Sequence, residues 1–182
     1  HLSGVATATS QWADAIASTS AKVRDTRKTT PGMRALEKYA VRCGGGVNHR
    51  MSLSDAALVK DNHIVAAGGV ASAFAAVRKA APAIVLEIEV DTIDQLRTAL
   101  TAGADLVLLD NMKPEVLCEA VAIASQHLAS TGRAVVLEAS GGLTLENAQS
   151  VAATGVNYIS VGALTHSAKV LDIGLDLETI VA

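Results

Sequence analysis

Helical segments alternate with apolar strand segments along the second half of the chain, and this alternation limits the possible folds more than any other feature. Four helix and strand pairs are predicted there, with helices at 71–81, 92–101, 114–129 and 145–153 and strands at 84–90, 105–109, 134–139 and 158–161. The same criteria predict earlier helices at 5–18 and 31–42 and earlier strands at 22–26 and 57–60. Helices that alternate with near-continuous apolar strands are typical of an α/β fold with a parallel sheet.

Polar residues fall at the carboxyl ends of six successive strands, which favours a barrel over a doubly wound sheet. A doubly wound sheet would carry a glycine-rich phosphate motif after its first strand, and neither G-x-G-x-x-G nor G-x-x-x-x-G-K-[ST] occurs there. Because six strands are recognised rather than eight, we predict an incomplete, six-stranded TIM-like α/β barrel over residues 1–182. The apolar tail from Val170 to Ala182 is expected to pack back on this domain.

The charge and cysteine content exclude several functions. With 15 Lys and Arg against 18 Asp and Glu, the net charge is −3, so no overall basic field attracts nucleic acid or an anionic membrane. No segment has the roughly 20 successive apolar residues that cross a bilayer. Cys43 and Cys118 show no metal or redox spacing, and we interpret them as buried or incidental thiols of a cytoplasmic protein. The chain starts at His1 without Met, so we expect an N-terminal part to precede it.

The segment from Arg24 to Gly32 concentrates charges and hydroxyls between a strand and a helix. Such a loop suits an anion, because Arg pairs with carboxylate or phosphate in a planar bidentate geometry and Lys supplies a compact charge. Arg27 and Lys28 are the candidate anion ligands, whereas Arg24 and Asp25 are expected to form structural pairs.

Further basic residues follow a triple-glycine turn and the next strand. They are His49, Arg50 and Lys60, and their positions favour a binding role over a solvated surface role. Lys60 could also form a Schiff base, as in barrel aldolases, and its neighbours do not distinguish these roles.

Acidic residues occupy the strands that come later in the chain. Alternation along strand 84–90 sends Glu87 and Glu89 to the face opposite its aliphatic residues, and in a barrel that face points inward. Glu89, Asp110 and Glu138 are expected to converge on one rim, where carboxylates can hold Mg²⁺ or stabilise a developing positive charge.

Two glycine-containing loops follow the last two strands. Residues 140–144 lead directly into a helix, and residues 162–167 follow the last strand. Glycine lets a phosphate approach the backbone, and barrels commonly bind phosphate at the loops after their last two strands. We therefore predict phosphate binding at both loops.

Taken in order, these motifs cover nearly the whole chain, and the chain resembles the quinolinate phosphoribosyltransferases. The motifs are Asp25-Thr26-Arg27-Lys28-Thr29-Thr30-Pro31-Gly32, Gly44-Gly45-Gly46-Val47-Asn48-His49-Arg50, Leu58-Val59-Lys60-Asp61-Asn62-His63, Glu87-Ile88-Glu89-Val90, Leu109-Asp110-Asn111, Glu138-Ala139-Ser140-Gly141-Gly142 and Ser160-Val161-Gly162-Ala163-Leu164-Thr165-His166.

The resemblance implies a barrel of the type II phosphoribosyltransferases and the step of NAD biosynthesis that joins quinolinate to phosphoribosyl pyrophosphate. That step gives nicotinate mononucleotide, pyrophosphate and CO₂. It also implies Mg²⁺, held by Glu89 and Asp110, as cofactor. The expected partners are these two substrates, without nucleic acid or membrane.

The resemblance also implies roles for individual residues. Lys28, Glu89 and Asp110 would be catalytic. Quinolinate would be bound by Thr26, Arg27, His49, Arg50 and Lys60. The phosphoribosyl donor would be bound by Lys28, Glu89, Asp110, Asn111, Ser140, Gly141, Gly142, Gly162, Ala163 and His166.

The family carries an additional N-terminal α/β domain, which residues 1–182 do not contain, and this domain contributes an arginine to the active site of a partner subunit. We therefore expect a homodimer or higher homo-oligomer for the full-length protein, and poor turnover by the isolated domain. Two alternatives stay open. One is a phosphoribosyltransferase for nicotinate or another aromatic acid, and the other is a non-catalytic anion-binding barrel.

Overall fold

The structure is a computed structural model that describes residues 1–178. In that range one sheet contains six strands, all of whose pairings are parallel, in the spatial order β2-β3-β4-β5-β6-β1. The strands are β1 (Lys22–Arg24), β2 (Ala56–Val59), β3 (Val85–Val90), β4 (Leu106–Asp110), β5 (Val136–Ser140) and β6 (Tyr158–Ser160). The α/β prediction is confirmed. The sheet does not close, since β1 and β2 are edge strands, so the barrel is incomplete as predicted.

The free edge of β1 is partly covered by the segment that follows the second helix. Val47 N–H donates to Val23 O (2.8 Å), and Asp25 N–H donates to Val47 O (3.1 Å). This short parallel bridge fixes residues 47–50 beside the end of β1. Two of the predicted basic residues therefore lie next to the charged loop.

Eight helices connect or flank the strands within the described range. They are α1 (Leu2–Ala15), α2 (Arg34–Cys43), α3 (Asp61–Ala67), α4 (Val70–Ala80), α5 (Ile93–Thr101), α6 (Pro114–Thr131), α7 (Leu145–Ala152) and α8 (Ala163–His166). Local sequence explains several ends. Thr92 Oγ1 accepts from Gln95 N–H (3.2 Å) at the start of α5, and Gly132 adopts φ +73° where α6 ends. None of the helices in residues 1–178 is both long and apolar enough to cross a membrane.

The core lies between the sheet and the helices. Leu86, Ile88 and Val90 of β3 are buried on the aliphatic face, as are the corresponding residues of β4 and β5. Each such side chain contributes about 1.5–3 kcal/mol when removed from water. The opposite face of β3 carries Glu87 and Glu89, so the predicted inward orientation of both carboxylates is confirmed.

Several predictions of local structure are wrong. The second helix begins at Arg34 rather than Pro31, because Met33 N–H donates to Thr30 O (3.0 Å) and closes a turn that includes Pro31 and Gly32. The short helices α3 and α8 were not predicted.

The prediction that the tail is buried is also wrong. The apolar side chains of the tail from Val170 to Leu177 are exposed in an irregular segment, whereas Ile180 lies outside the described residues. Cys43 and Cys118 are exposed free thiols within residues 1–178, so of the two alternatives predicted for them the buried one does not apply.

Candidate active site

A cleft of about 720 Å³ opens at the carboxyl ends of the strands and contains every predicted ligand residue. These residues are Thr26, Arg27, Lys28, His49, Arg50, Lys60, Glu89, Asp110, Asn111, Ser140, Gly141, Gly142, Gly162, Ala163 and His166. Glu138 also lines the cleft, as predicted for an acidic strand end, together with Leu58, Leu108, Leu143, Ser160 and Val161. The parallel register brings these distant segments together, because all six strands end at the same edge. Their individual roles as ligands remain predictions.

The charged loop after β1 is held by α2, an interaction that the sequence did not indicate. Arg34 donates from Nε to Thr29 Oγ1 (3.0 Å) and from Nη2 to Arg27 O (3.3 Å). The buried carboxylate of Glu37 accepts from Thr30 N–H (3.0 Å). Charged side chains of α2 therefore fix the backbone of the loop that presents Arg27 and Lys28.

The carboxylate of Asp25 joins three segments beneath the cleft. It forms a buried ion pair with Lys38 and accepts from Asn48 Nδ2 (2.6 Å) and from His49 N–H (2.7 Å). Burial lowers the pKa of Lys38, while its hydrogen bond to Asp25 opposes this shift. The predicted structural pairing of Asp25 is confirmed, and it places His49 beside β1.

The imidazole of His49 is engaged on both sides. Its Nδ1 accepts from Arg50 N–H (2.7 Å), so Nδ1 carries no proton and the neutral ring is protonated on Nε2. Nε2 lies 2.9 Å from Glu87 Oε2 and 3.6 Å from Glu138 Oε1. In this geometry His49 orients the Arg50 backbone, and its ring joins the cleft to the carboxylates below.

Arg50 is oriented by the start of β2. Its Nη1 donates to Ala56 O (2.7 Å), which leaves other guanidinium donors directed at the cleft. Burial, followed by the proximity of Arg27, lowers the pKa of Arg50. Glu87 opposes this shift, and since neither guanidinium forms an ion pair within residues 1–178, the two together create a local site for an anion such as a carboxylate.

Two carboxylates, Glu87 and Glu138, lie beside the His49 ring, and Glu138 lines the cleft. Glu138 is fully buried, pairs with Arg24 and accepts from Ser160 Oγ. Burial and the neighbouring Glu87 raise the pKa of Glu138, while Arg24 opposes the rise. The ion pair with Glu138 confirms the predicted structural pairing of Arg24. The guanidinium of Arg24 also lies over the ring of Tyr158, with 4.7 Å between its Cζ and the ring centroid.

These two carboxylates and His49 also place three potential metal ligands close together. Ligand atoms of His49, Glu87 and Glu138 lie within 4.8 Å of one another. Both oxygens of Glu138 already have partners, Arg24 and Ser160. Glu87 and Ser160 were not among the predicted ligands, although the inward side of their strands is readable from sequence alternation.

The acidic rim of the cleft is formed by neighbouring strands. Glu89 on β3 pairs with Lys60, and Asp110 at the end of β4 accepts from Asn111 Nδ2 (2.6 Å). Both carboxylates line the cleft. Carboxylate oxygens are the type of donor that Mg²⁺ binds, and the Mg²⁺ site at Glu89 and Asp110 stays a prediction.

The glycine loops allow close approach of neighbouring segments. Gly141 has φ +83°, and a β-carbon at that position would lie 2.2 Å from Asn111 Oδ1. At Gly162 a β-carbon would lie 3.1 Å from His166 Nε2 and 3.2 Å from Lys28 Cδ. The absence of a side chain at Gly162 therefore lets both Lys28 and His166 approach this residue at the rim.

Comparison with known proteins identifies the family of the chain. The model of the quinolinate phosphoribosyl transferase C-terminal domain matches residues 5–176. The chain belongs to this family. Membership confirms the resemblance seen in the motifs at the strand ends.

Individual members of the quinolinate phosphoribosyl transferase family are also closely similar. The chain is 55% identical to the nicotinate-nucleotide pyrophosphorylase (carboxylating) of Mycobacterium leprae and 43% identical to that of Homo sapiens, over 97% of its length in both cases. The crystal structure of the Ehrlichia chaffeensis nicotinate-nucleotide pyrophosphorylase superposes with a TM-score of 0.88 at 42% identity, covering 96% of this chain and 61% of that one. The chain spans 61% of the M. leprae protein and 59% of the human protein, so it corresponds to about three-fifths of the curated relatives.

Proposed function

We propose that this chain is the catalytic barrel of a quinolinate phosphoribosyltransferase. The reaction transfers phosphoribosyl from phosphoribosyl pyrophosphate to quinolinate with decarboxylation, and it yields nicotinate mononucleotide, pyrophosphate and CO₂. The observation that carries the proposal is the division of one cleft into a cationic half and an acidic half flanked by glycine loops. The names of the relatives support the same reaction.

The cationic half suits a substrate with two carboxylates. Arg27 and Arg50 offer bidentate pairing, and Thr26 and Lys60 complete the polar wall. His49 contributes by orienting Arg50 through the contact of its Nδ1 with the Arg50 N–H (2.7 Å). Leu58 and Leu108 provide apolar surface for an aromatic ring in the same cleft.

The acidic half and the glycine loops suit the phosphoribosyl donor. Lys28 and His166 both approach Gly162, where a phosphate can approach the backbone. Gly141 and Gly142 offer a second approach beside Asn111. Glu89 and Asp110 would hold Mg²⁺, which, when bound, would neutralise charge on the departing pyrophosphate.

The chemistry follows from this division. Cleavage of the bond between C1 of the ribose and pyrophosphate leaves a ribose with oxocarbenium character, and the carboxylates of Glu89 and Asp110 stabilise its positive charge. Lys28 stabilises the negative charge of the leaving group. The ring nitrogen of quinolinate then donates its electron pair to C1.

The quaternised pyridinium nitrogen makes the second step possible. The carbon–carbon bond to the adjacent carboxylate breaks, CO₂ departs, and the electron pair stays on the ring carbon, where the positive nitrogen stabilises it. That carbon then takes up a proton. Arg27 and Arg50 hold the remaining carboxylate, so the ring keeps its position through both steps.

The decisive experiment measures pyrophosphate and CO₂ release by the full-length protein with quinolinate and with nicotinate. Equimolar release with quinolinate and little turnover with nicotinate support the proposal. Turnover of nicotinate without CO₂ favours the alternative aromatic acid, and no release with either substrate favours an anion-binding barrel. We also propose that the full-length protein is a homodimer or higher homo-oligomer whose partner completes the cleft, so residues 1–182 alone should bind both substrates but turn over slowly.

A further inference from the structure

Thr165 in α8 contacts the charged loop at Lys28, across 137 positions of sequence. Its Oγ1 lies 2.7 Å from Lys28 O, and the residue is fully buried. Thr165 does not line the cleft and belongs to none of the predicted ligand sets. The hydroxyl therefore acts on the backbone of a site residue without reaching the substrates.

The local helix does not need this hydroxyl. Thr165 N–H already donates to Gly162 O (3.2 Å), and the same oxygen lies 3.2 Å from Thr165 Oγ1. A hydroxyl donates one proton, and the shorter contact is the one to Lys28 O. The hydroxyl is therefore used to join α8 to the loop.

The direction of the Lys28 side chain depends on how the Lys28 carbonyl is held, because the other contacts of Lys28 fix it less. Lys28 N–H donates to Thr26 Oγ1 (3.1 Å), and the side-chain stem passes Gly162, where a β-carbon would lie 3.2 Å from Cδ. Lys28 is otherwise exposed, without a carboxylate partner among the described residues. A long, flexible ammonium side chain gains its precision from a fixed backbone.

We infer that Thr165 is a positioning residue for Lys28 and that its hydroxyl directs the ammonium group toward the phosphates of the donor. This inference rests on the proposed function, since it assigns Lys28 to the phosphoribosyl donor. The hydrogen bond couples the loop after β6 to the loop after β1, so the ammonium and His166 approach the same phosphate. In the half of the cleft that suits the aromatic acid, Asp25 accepts from His49 N–H and Arg34 donates to Arg27 O, and neither contact involves Thr165.

The test compares Thr165→Val with Thr165→Ser in the full-length protein. Thr165→Val keeps the shape and removes the hydroxyl, whereas Thr165→Ser keeps the hydroxyl. Because a displacement of about 1 Å can cost about a hundredfold in rate, we expect Thr165→Val to lower kcat/KM for the donor by about ten- to a hundredfold. The KM for quinolinate should stay close to the wild-type value, and Thr165→Ser should restore most of the loss.

A matched control comes from Thr9→Val. Thr9 is equally buried, and its hydroxyl donates to Val5 O (2.8 Å) within α1, away from the cleft. It should lower the melting temperature to a similar extent without changing either KM. If Thr165→Val does not fold, Thr165→Ala removes the same hydroxyl with less bulk.

Binding of inorganic pyrophosphate, measured by calorimetry, distinguishes a failure of the proposed reaction from a failure of the role assigned to Thr165. Wild-type protein that binds pyrophosphate but does not convert quinolinate overturns the proposed reaction and leaves the role of Thr165 to be decided by the binding data. Equal pyrophosphate affinity in wild type and Thr165→Val overturns the role of Thr165, as does an equal rise in both KM values. Weaker pyrophosphate binding by Thr165→Val, restored in Thr165→Ser, supports it.

Discussion

Lys60, directly after β2, forms an ion pair with Glu89 on β3 at the mouth of the cleft. The register pairs Leu58 with Glu87 and Val59 with Ile88, so Lys60 and Glu89 lie at adjacent strand ends. The Lys60 side chain is 47% exposed, and an exposed pair of this kind contributes only about 0–1 kcal/mol to folding. The contact joins the half of the cleft assigned to quinolinate with the half assigned to the donor, so its importance lies in binding.

The first prediction concerns the selectivity of Lys60. Lys60→Ala should weaken quinolinate binding by about ten- to a hundredfold, because a charge-assisted hydrogen bond to a carboxylate is worth about 1.5–3 kcal/mol. Binding of the donor should change much less. Calorimetric titration with each ligand separately checks this, with Lys79→Ala on the exposed surface of α4 as control. Equal losses for both ligands would contradict the assignment of Lys60.

The second prediction concerns the buried pair of Asp25 and Lys38. Lys38→Ala leaves the carboxylate buried without its countercharge and should lower the free energy of unfolding by about 3–5 kcal/mol. The double variant Asp25→Asn/Lys38→Met removes both charges at similar volume and should lose considerably less. Urea denaturation measures both values, and Lys22→Ala on the exposed side of β1 should stay within about 0.5 kcal/mol of wild type. A double variant less stable than Lys38→Ala would refute this account of the pair.

The third prediction concerns pH. Glu138 has a pKa raised above its ordinary value of 4.5 by burial and by Glu87. At pH values between 4.5 and the raised pKa, the folded protein binds more protons than the unfolded chain. The stabilisation from Glu138 is therefore fully present below pH 4.5 and is lost as the pH rises through the raised pKa. Arg24 and His49 also face this carboxyl and limit the shift.

Glu138→Gln cannot ionise and should flatten this part of the stability profile. Urea denaturation at a series of pH values from 4.5 upward measures the slope, and Glu119→Gln on the exposed face of α6 should retain the wild-type slope. A Glu138→Gln profile as steep as that of the wild type would show that another group titrates. The comparison uses the slope of the free energy of unfolding against pH and not its absolute value, because Glu138→Gln also changes the contact with Arg24.

The rim of the cleft could be predicted from sequence because polar residues interrupt apolar strands at regular places. Asp110 and Ser140 each end a strand and Glu89 is the next-to-last residue of β3, and parallel strands bring such ends to one edge. The support of the rim could not be predicted in this way. Glu37 and Lys38 lie in a helix whose charges look solvated in sequence, and their partners come from loops that only the fold brings near.

The missed helices and the exposed tail have physical explanations as well. α3 and α8 contain 7 and 4 residues, too few to show a helical repeat of apolar positions. The tail from Val170 to Leu177 has the composition of a buried segment, but composition does not say which surface would cover it. Sequence patterns therefore identified the alternating helices and strands, and they missed the features that depend on a partner far away in the sequence, such as the buried ion pairs.

The last prediction concerns Gly141 and Asn111. Gly141→Ala imposes two costs, since φ is +83° and the added β-carbon would lie 2.2 Å from Asn111 Oδ1. Gly68→Ala imposes only the first cost, because Gly68 has φ +77° with no neighbouring atom within 4 Å. A left-handed conformation costs about 1–2 kcal/mol for a residue with a β-carbon, so Gly68→Ala should lose about that much. Gly141→Ala should lose about 1–3 kcal/mol more, the typical cost of overpacking.

The double variant Asn111→Gly/Gly141→Ala separates these terms. It removes the side chain that Gly141→Ala would strike, and it relieves the positive φ of Asn111 (52°). Urea denaturation should therefore show the double variant to be more stable than Gly141→Ala, with a free energy of unfolding close to that of Gly68→Ala. If the double variant is no more stable than Gly141→Ala, the close approach of Asn111 is not what requires glycine at this loop, and backbone conformation alone accounts for it.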